Sequence, residues 1–271
     1  MRVRCWGVRG SLPVSGPQFV MTGGNTTCFE VTCDGARLIL DGGTGLQALG
    51  TELGSPCEAS LLFTHVHWDH IQGVPFFGPL HHPESRILLC GRRNTFGGLR
   101  DALSAQMKPP SFPVGLDIFQ AEMTFMDVRP DESFEVGPFR VTGSEMSHPD
   151  GILVYRIEAG GKSLVFATDV EHGETLDPRM VEFSRGADLL LHDAQYSEDE
   201  YFGRSGPSRV GWGHATWSQA VQTGIEAGVK RLGLIHHDPT RTDDQILDIE
   251  AWAKERLAQT FVAREGLTIT V

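Results

Sequence analysis

Apolar residues fall in short runs along the whole chain, most of them closed by Gly or Pro. Runs this short, rich in Val, Ile, Leu and Phe and bounded by turn residues, predict β-strands. They cover residues 1–6, 27–33, 37–41, 60–64, 86–90, 134–142, 152–158, 163–168, 188–192, 231–236 and 267–271. Between them the period lengthens to that of a helix. Residues 44–53 place Leu46, Leu49 and Leu53 on one face, and residues 94–107 do the same with Phe96, Leu99, Leu103 and Met107. Residues 216–227 present Trp217, Ala220, Val221 and Ile225, and residues 242–257 present Ile246, Ile249, Ala253 and Leu257. Spacings of three and four put each set on the side of a helix that faces the core. The pairs Thr44 with Gln47, Thr216 with Gln219 and Thr242 with Gln245 have capping-box spacing, and Gly228 is placed to end the third helix. Strands interleaved with helices predict an α/β fold. No repeat, low-complexity linker or charge block divides the chain, and residues 108–113 are the most loop-like piece, so residues 1–271 are read as a single domain.

Composition narrows the partners. With 23 Lys and Arg against 35 Asp and Glu, the formal net charge is −12, which excludes a general nucleic-acid coat but not a local basic pocket. No run approaches the roughly 18–20 apolar residues of a membrane helix, and the first residues lack the apolar region of a secretory signal. A soluble, cytoplasmic protein is expected. Cys5, Cys28, Cys33, Cys57 and Cys90 are scattered without a Cys-x-x-Cys pair and read as reduced thiols, mostly buried.

The 11 histidines carry the chemistry. Thr64-His65-Val66-His67-Trp68-Asp69-His70 follows the apolar run Leu61-Leu62-Phe63. In extended backbone, residues two apart share a face, so His65 and His67 can bind one metal, while a turn after His67 would aim Asp69 and His70 at a second. Further candidates stand just beyond other apolar strands: His148, Asp169, and His236 or His237. Imidazole and carboxylate donors suit zinc, with manganese or iron as alternatives.

In the order and spacing of these residues the chain resembles the metallo-β-lactamase fold hydrolases. The resemblance runs from Leu38-Ile39-Leu40-Asp41-Gly42-Gly43 to His237, and lies nearest the branch containing ribonuclease Z and the cyclic phosphodiesterases of phosphonate breakdown. It implies a four-layer αβ/βα sandwich with the metals at the edge between two sheets. His65, His67 and His148 would bind the first metal, Asp69, His70 and His237 the second, and Asp169 would bridge them. His237 is preferred to His236 because Ile235-His236-His237 aligns with the family's hydrophobic-Thr-His ending.

Leu191-His192-Asp193-Ala194 looks like that branch's His-Glu-Ala-Thr element, and Gly213-His214-Ala215-Thr216 like its Gly-His-Ser-Thr. The resemblance implies that Asp193 orients His214 toward the scissile phosphate, and a carboxylate so placed can keep an imidazole aimed at a leaving oxygen. Asp69 is counted with these two among the residues that turnover requires. Arg204 and Arg209, in the glycine-containing loop before His214, are candidates for phosphate contact. Asn25 is a further substrate-side candidate, and residues 108–114 a stiff wall for the cleft.

The tRNA-gripping arm of ribonuclease Z usually lies between the equivalents of His148 and Asp169. Here those residues are separated by only 20 others, most of which read as a hairpin, so tRNA is not the expected substrate. The expectation is a phosphodiesterase with two divalent metals and a bridging hydroxide nucleophile, acting on a small or cyclic phosphodiester. A metal-dependent thioester, lactone or ester hydrolase and a non-catalytic metal-bound sensor are the alternatives. A homodimer is compatible with the resemblance.

Overall fold

The computed structural model describes residues 1–93 and 97–271. In chain order the elements are strands β1 (Arg2–Gly7), β2 (Cys28–Cys33) and β3 (Ala36–Leu40), helix α1 (Gly45–Leu53), β4 (Glu58–Leu62) and the one-turn helix α2 (Trp68–Ile71). Then come β5 (Arg86–Gly91), α3 (Leu99–Gln106), β6 (Glu122–Asp127), β7 (Ser133–Val136), β8 (Phe139–Met146), β9 (Ile152–Ala159) and β10 (Lys162–Ala167). The chain continues through α4 (Pro178–Ser184), β11 (Leu189–Asp193), α5 (Glu198–Tyr201), α6 (Trp217–Ala227), β12 (Leu232–Ile235), α7 (Asp243–Arg256), β13 (Thr260–Val262) and β14 (Thr268–Thr270).

The strands form two seven-stranded sheets, ordered β14-β1-β2-β3-β4-β5-β6 and β13-β12-β11-β10-β9-β8-β7. Each sheet is antiparallel in one part and parallel in the other: β3 to β6 and β10 to β13 run parallel. Strands buried on both faces explain the nearly continuous apolar runs. Along β3, Leu38 and Leu40 point into the core between the sheets, while Ile39 packs outward with Leu46 and Leu49 of α1 and Leu103 of α3. In β10, Leu164 and Phe166 face inward, and Val165 and Ala167 pack outward with Met180, Ala220, Val221 and Ile246 from α4, α6 and α7. Phe29 and Phe166 meet across the inter-sheet core with ring centroids 5.3 Å apart. The layers are therefore helix, sheet, sheet, helix: the four-layer sandwich.

Local departures from the sequence reading have identifiable causes. Thr44 forms no capping box; its Oγ1 accepts from Thr26 N at 2.9 Å and its N–H donates to Thr26 Oγ1 at 2.9 Å, which ties α1 to the loop before β2. The expected strand 134–142 is broken by Gly137, at φ 53°, into the hairpin of β7 and β8. Helix α3 starts at Leu99, and Phe96, assigned to its stripe, lies outside the described residues. On α6 Ile225 is exposed and Trp217 half-buried, so the buried stripe is narrower than expected. All five cysteines are unpaired and all but Cys57 are buried. No helix of the described residues is long and apolar enough to cross a membrane.

Candidate metal centre

The carboxyl ends of β3, β4, β8, β10, β11 and β12 converge on one rim of the sandwich, and the polar residues just beyond them meet there. His65 and His67 lie in the extended segment after β4, and α2 then turns Asp69 and His70 inward. His148 follows β8, Asp169 follows β10 and His236 follows β12 directly. Asp41, Asp169 and His236 all leave their strands with positive φ, at 58°, 52° and 58°. Such backbone is costly for a non-glycine residue and is found where surrounding structure enforces it, often at functional sites.

Ligand-type atoms gather in two groups that share Asp169: His65, His67, His148 and Asp169, and Asp69, His70, Asp169 and His236; within each, the atoms lie within 4.8 Å of one another. The two oxygens of Asp169 divide between them. Its Oδ2 lies 3.7 Å from His65 Nε2 and 3.8 Å from His148 Nε2, while its Oδ1 lies 3.3 Å from His70 Nε2 and 3.0 Å from His236 Nε2. Asp69 Oδ2 is 3.2 Å from both His70 Nε2 and His236 Nε2.

The protein fixes which ring nitrogens are bare. Asp41, fully buried, accepts from Thr64 N at 2.8 Å, from the Thr64 hydroxyl and from His70 Nδ1 at 2.8 Å. Because Thr64 gives its hydroxyl proton to Asp41, its oxygen is left to accept from His65 Nδ1 at 3.1 Å. His148 Nδ1 donates to Gly213 O at 2.8 Å. These bonds place the proton of each neutral ring on Nδ1 and leave Nε2 as a lone pair. The Nε2 atoms of His65 and His70 are buried without a hydrogen-bond partner among the described residues. Lone pairs thus face carboxylate oxygens, which also only accept, and a cation satisfies both. The residues present fit divalent metal ions.

Without a cation, the same carboxylates favour a proton on two of the rings. Burial disfavours charge on His70 and His236, but Asp69 and Asp169, joined by Asp41 at His70 and by Asp193 at His236, more than offset it; His70 is held well above the usual imidazole range and His236 is raised to about 10. Burial would raise Asp169, but His236 and His70 hold it well below the carboxylate range. His65, His67 and His148 are pushed down, first by burial.

A third group sits beside the first two. Asp193, at the end of β11, accepts from His214 Nδ1 at 2.9 Å, from Asp169 N at 3.0 Å, and from Gln195 N and Ala215 N at 3.0 and 3.1 Å. Burial raises its pKa, but His214 and His236 outweigh that and leave it at about 2. One carboxylate therefore orients His214 and holds the backbone of Asp169.

Three expected site residues are placed differently. His237 faces away: its Nε2 is 3.2 Å from Ala263 O, its backbone pairs with Val8 and Gly10, and the turn at His236 gives the inward position to that residue. The His236 ring packs on Gly10, where a Cβ would lie 2.4 Å from its Nδ1. Asn25 gives both its backbone N–H and its side-chain amide to Glu265, and Arg204 is exposed and paired with Asp199 at 3.2 Å. Arg209, in contrast, is half-buried, with its guanidinium over the rings of Trp212 and Tyr196, and Tyr196 stands edge-on to His214 at 5.7 Å.

Asp41 and Glu171 were not singled out from sequence. An acid closing an apolar strand before Gly42-Gly43 was the available signal for the first. Glu171 accepts from Gly211 N, Gly213 N and Tyr201 Oη at 2.6, 2.8 and 2.6 Å and so fixes the loop whose Gly213 carbonyl holds His148. No local pattern marks it.

Comparison with known proteins places this geometry among relatives. Residues 37–237 match the family described as beta-lactamase superfamily domain. The chain is similar to a ribonuclease Z from Haloarcula marismortui, 25% identical over 87% of this chain and 86% of that protein. Among solved structures it superposes on the metallo-beta-lactamase fold protein YhfI from Bacillus subtilis with a TM-score of 0.72, at 19% identity over 99% of this chain and 98% of the other. A diphosphatase from the PhnP family superposes equally well, with a TM-score of 0.72 at 19% identity over 100% and 97% of the two chains.

Proposed function

Since the chain belongs to the beta-lactamase superfamily domain family and is a metal-dependent hydrolase, we propose that it is a phosphodiesterase holding two divalent cations and cleaving a small or cyclic phosphodiester. In this reading residues 1–271 act as one hydrolase domain. His65, His67 and His148 hold one cation, Asp69, His70 and His236 the other, and Asp169 both. When bound, such a pair supplies an activated water near neutral pH and neutralises charge on the phosphoryl oxygens. Zinc is the first choice for this donor set, with manganese or iron as alternatives.

The observation that carries the phosphodiester reading is the Asp193–His214 contact of 2.9 Å beside the cluster. With Nδ1–H given to a carboxylate, a second proton on Nε2 is the one His214 can hand to a departing alkoxide. The His214 ring is held between His236, stacked at 5.0 Å, and His148, edge-on at 5.5 Å, so the donor is fixed in place before substrate arrives. Arg209, which has no carboxylate partner among the described ion pairs, supplies a guanidinium for the phosphate from the loop that Glu171 holds. A small substrate is supported by β9 and β10, whose hairpin takes up most of the 20 residues between His148 and Asp169. The net charge of −12 also favours a small anion drawn to a local site over a long polyanion.

A substrate panel on zinc- or manganese-loaded protein tests this. Bis(4-nitrophenyl) phosphate and at least one cyclic mononucleotide should be hydrolysed, and short RNA and precursor tRNA should not. Turnover confined to a thioester or lactone would replace the proposal with the carboxylic-ester reading.

A further inference from the structure

The loop between β1 and β2 reaches the cluster. Gly10 packs against the His236 ring, and Ser11 donates its backbone N–H to Asp69 Oδ2 at 2.7 Å. Leu12 N then donates to Gly10 O at 2.7 Å, and Ser11 between them has φ 63°. A hydrogen bond closed across one residue of positive φ is a γ-turn of the rare, strained kind. Glycine would adopt that backbone freely, so what the strain retains is the serine side chain. Ser11 is exposed although its N–H is bonded to the buried Asp69, which puts it at the open edge of the metal groups.

The hydroxyl belongs to a network of fixed polarity. Gln195 Nε2 donates to Ser11 Oγ at 3.4 Å and to Tyr196 Oη at 3.1 Å. Gln195 Oε1 and His236 Nδ1 lie 2.5 and 2.4 Å from the point where a Cβ on Gly10 would stand, so the amide oxygen flanks the ring nitrogen that carries the proton when Nε2 faces a cation. That turns the amide N–H groups toward the hydroxyls. Ser11 Oγ therefore accepts from Gln195, and among the described residues its own proton has no acceptor. It is a donor left for an incoming anionic oxygen. Tyr196 continues the line to Arg209, whose guanidinium stands 5.3 Å from its ring centre, so the hydroxyl and the cation belong to one rim.

We propose that the Ser11 hydroxyl is a substrate-binding donor that takes a non-bridging phosphoryl oxygen beside Asp69, and that the strained turn serves to present it there. The assignment rests on the phosphodiesterase reading for the identity of the anion.

Two variants test it. Ser11→Ala removes the hydroxyl and keeps the N–H to Asp69; Ser11→Gly does the same and also relaxes the turn. Both are compared with the unaltered zinc-loaded chain for inorganic phosphate affinity by phosphorus NMR, zinc affinity by chelator competition, and hydrolysis of bis(4-nitrophenyl) phosphate. In both, phosphate should bind roughly tenfold more weakly, the scale of one hydrogen bond to a charged group, with zinc affinity unchanged. KM for the diester should rise by a similar factor while kcat stays within about twofold, because the contact is made before and during the reaction. A loss in Ser11→Ala that Ser11→Gly restores would assign the effect to the turn and overturn the role of the hydroxyl. Weaker zinc binding with a lower kcat, the mark of a role confined to placing Asp69, would overturn it too, as would unchanged phosphate affinity in both variants. Should Ser11→Ala fail to fold, Ser11→Gly, which carries no strain at this turn, decides. If the unaltered protein leaves the diester intact, the phosphodiesterase reading falls and phosphate binding alone judges Ser11; no saturable phosphate binding by the unaltered protein overturns the donor.

Discussion

One proton on each ring decides what the clustered imidazoles can do. Asp41 takes the Nδ1 proton of His70 and, through Thr64, fixes that of His65, so a single buried carboxylate presets a nitrogen in each metal group. Asp41→Asn should therefore weaken metal binding roughly 10–100-fold, the usual scale for a residue that orients a ligand, as measured by chelator competition; unchanged affinity would show that the rings hold their tautomers without it. His236→Ala should lose about one cation per chain by elemental analysis, while His237→Ala keeps the full complement. For His214→Ala we expect turnover to fall about 10²–10⁴-fold on an alkyl leaving group and less on a nitrophenyl one, with metal content unchanged. Asp193→Asn should give a loss that is far from additive with it. Equal losses on both leaving groups would remove the general-acid role. Much of this site was legible because its ligands follow apolar strands in chain order. The choice between His236 and His237 was not, because strand alternation stops where His236 adopts φ 58°, and sequence shows no such turn.

Elements were legible where their pattern was long or their caps explicit. Thr216 and Thr242 do form the expected capping boxes, with Gln219 N and Gln245 N donating to their hydroxyls. Thr216→Ala and Thr242→Ala should each lower the unfolding free energy by about 1 kcal/mol in denaturant titrations. Thr44 shows the limit of the motif: the same spacing occurs, but the hydroxyl is taken by Thr26, a partner 18 residues away. Strand β6, Glu-Met-Thr-Phe-Met-Asp, lies at a sheet edge and alternates only between exposed and half-buried, so it lacks the apolar run that marked its neighbours. Strand β13 has three residues, and α2 and α5 four each, too few to show a period.

At the scale of the whole molecule, one route by which pH reaches the fold is a pair of histidines outside the metal groups. His172 Nδ1 accepts from Asp177 N at 3.1 Å and His192 Nδ1 donates to Asp193 O at 2.8 Å, so the single N–H of His172 points at the bare Nε2 of His192, 3.2 Å away. Burial, and then His192, lowers the pKa of His172 to about 3 from 6.5. Below 6.5 the unfolded chain takes up a proton that the folded chain refuses, so this contribution to stability is complete above 6.5 and declines as pH falls toward 3. Denaturation midpoints should drop as pH falls from 6.5 to 5, and His172→Gln should make that slope shallower, with His237, also lowered to about 3, keeping its own share; an unchanged slope would place its origin elsewhere. Chelation should act on the same scale: a cation at a hundred times its dissociation constant adds about 2.7 kcal/mol, or on the order of 5–10 °C in Tm. Each of the two metal groups takes two residues from the segment after β4 and two from the second sheet. Neither half of the sandwich holds a complete set, so tight metal capture reports that both have docked. During synthesis the candidate ligands emerge in the order His65 to His236, so the second group is incomplete until His236 has been made. In the proposed two-cation reading, complete metal capture would come only once both halves have met, and a chain stalled before His236 would lack one of the four residues of the second group.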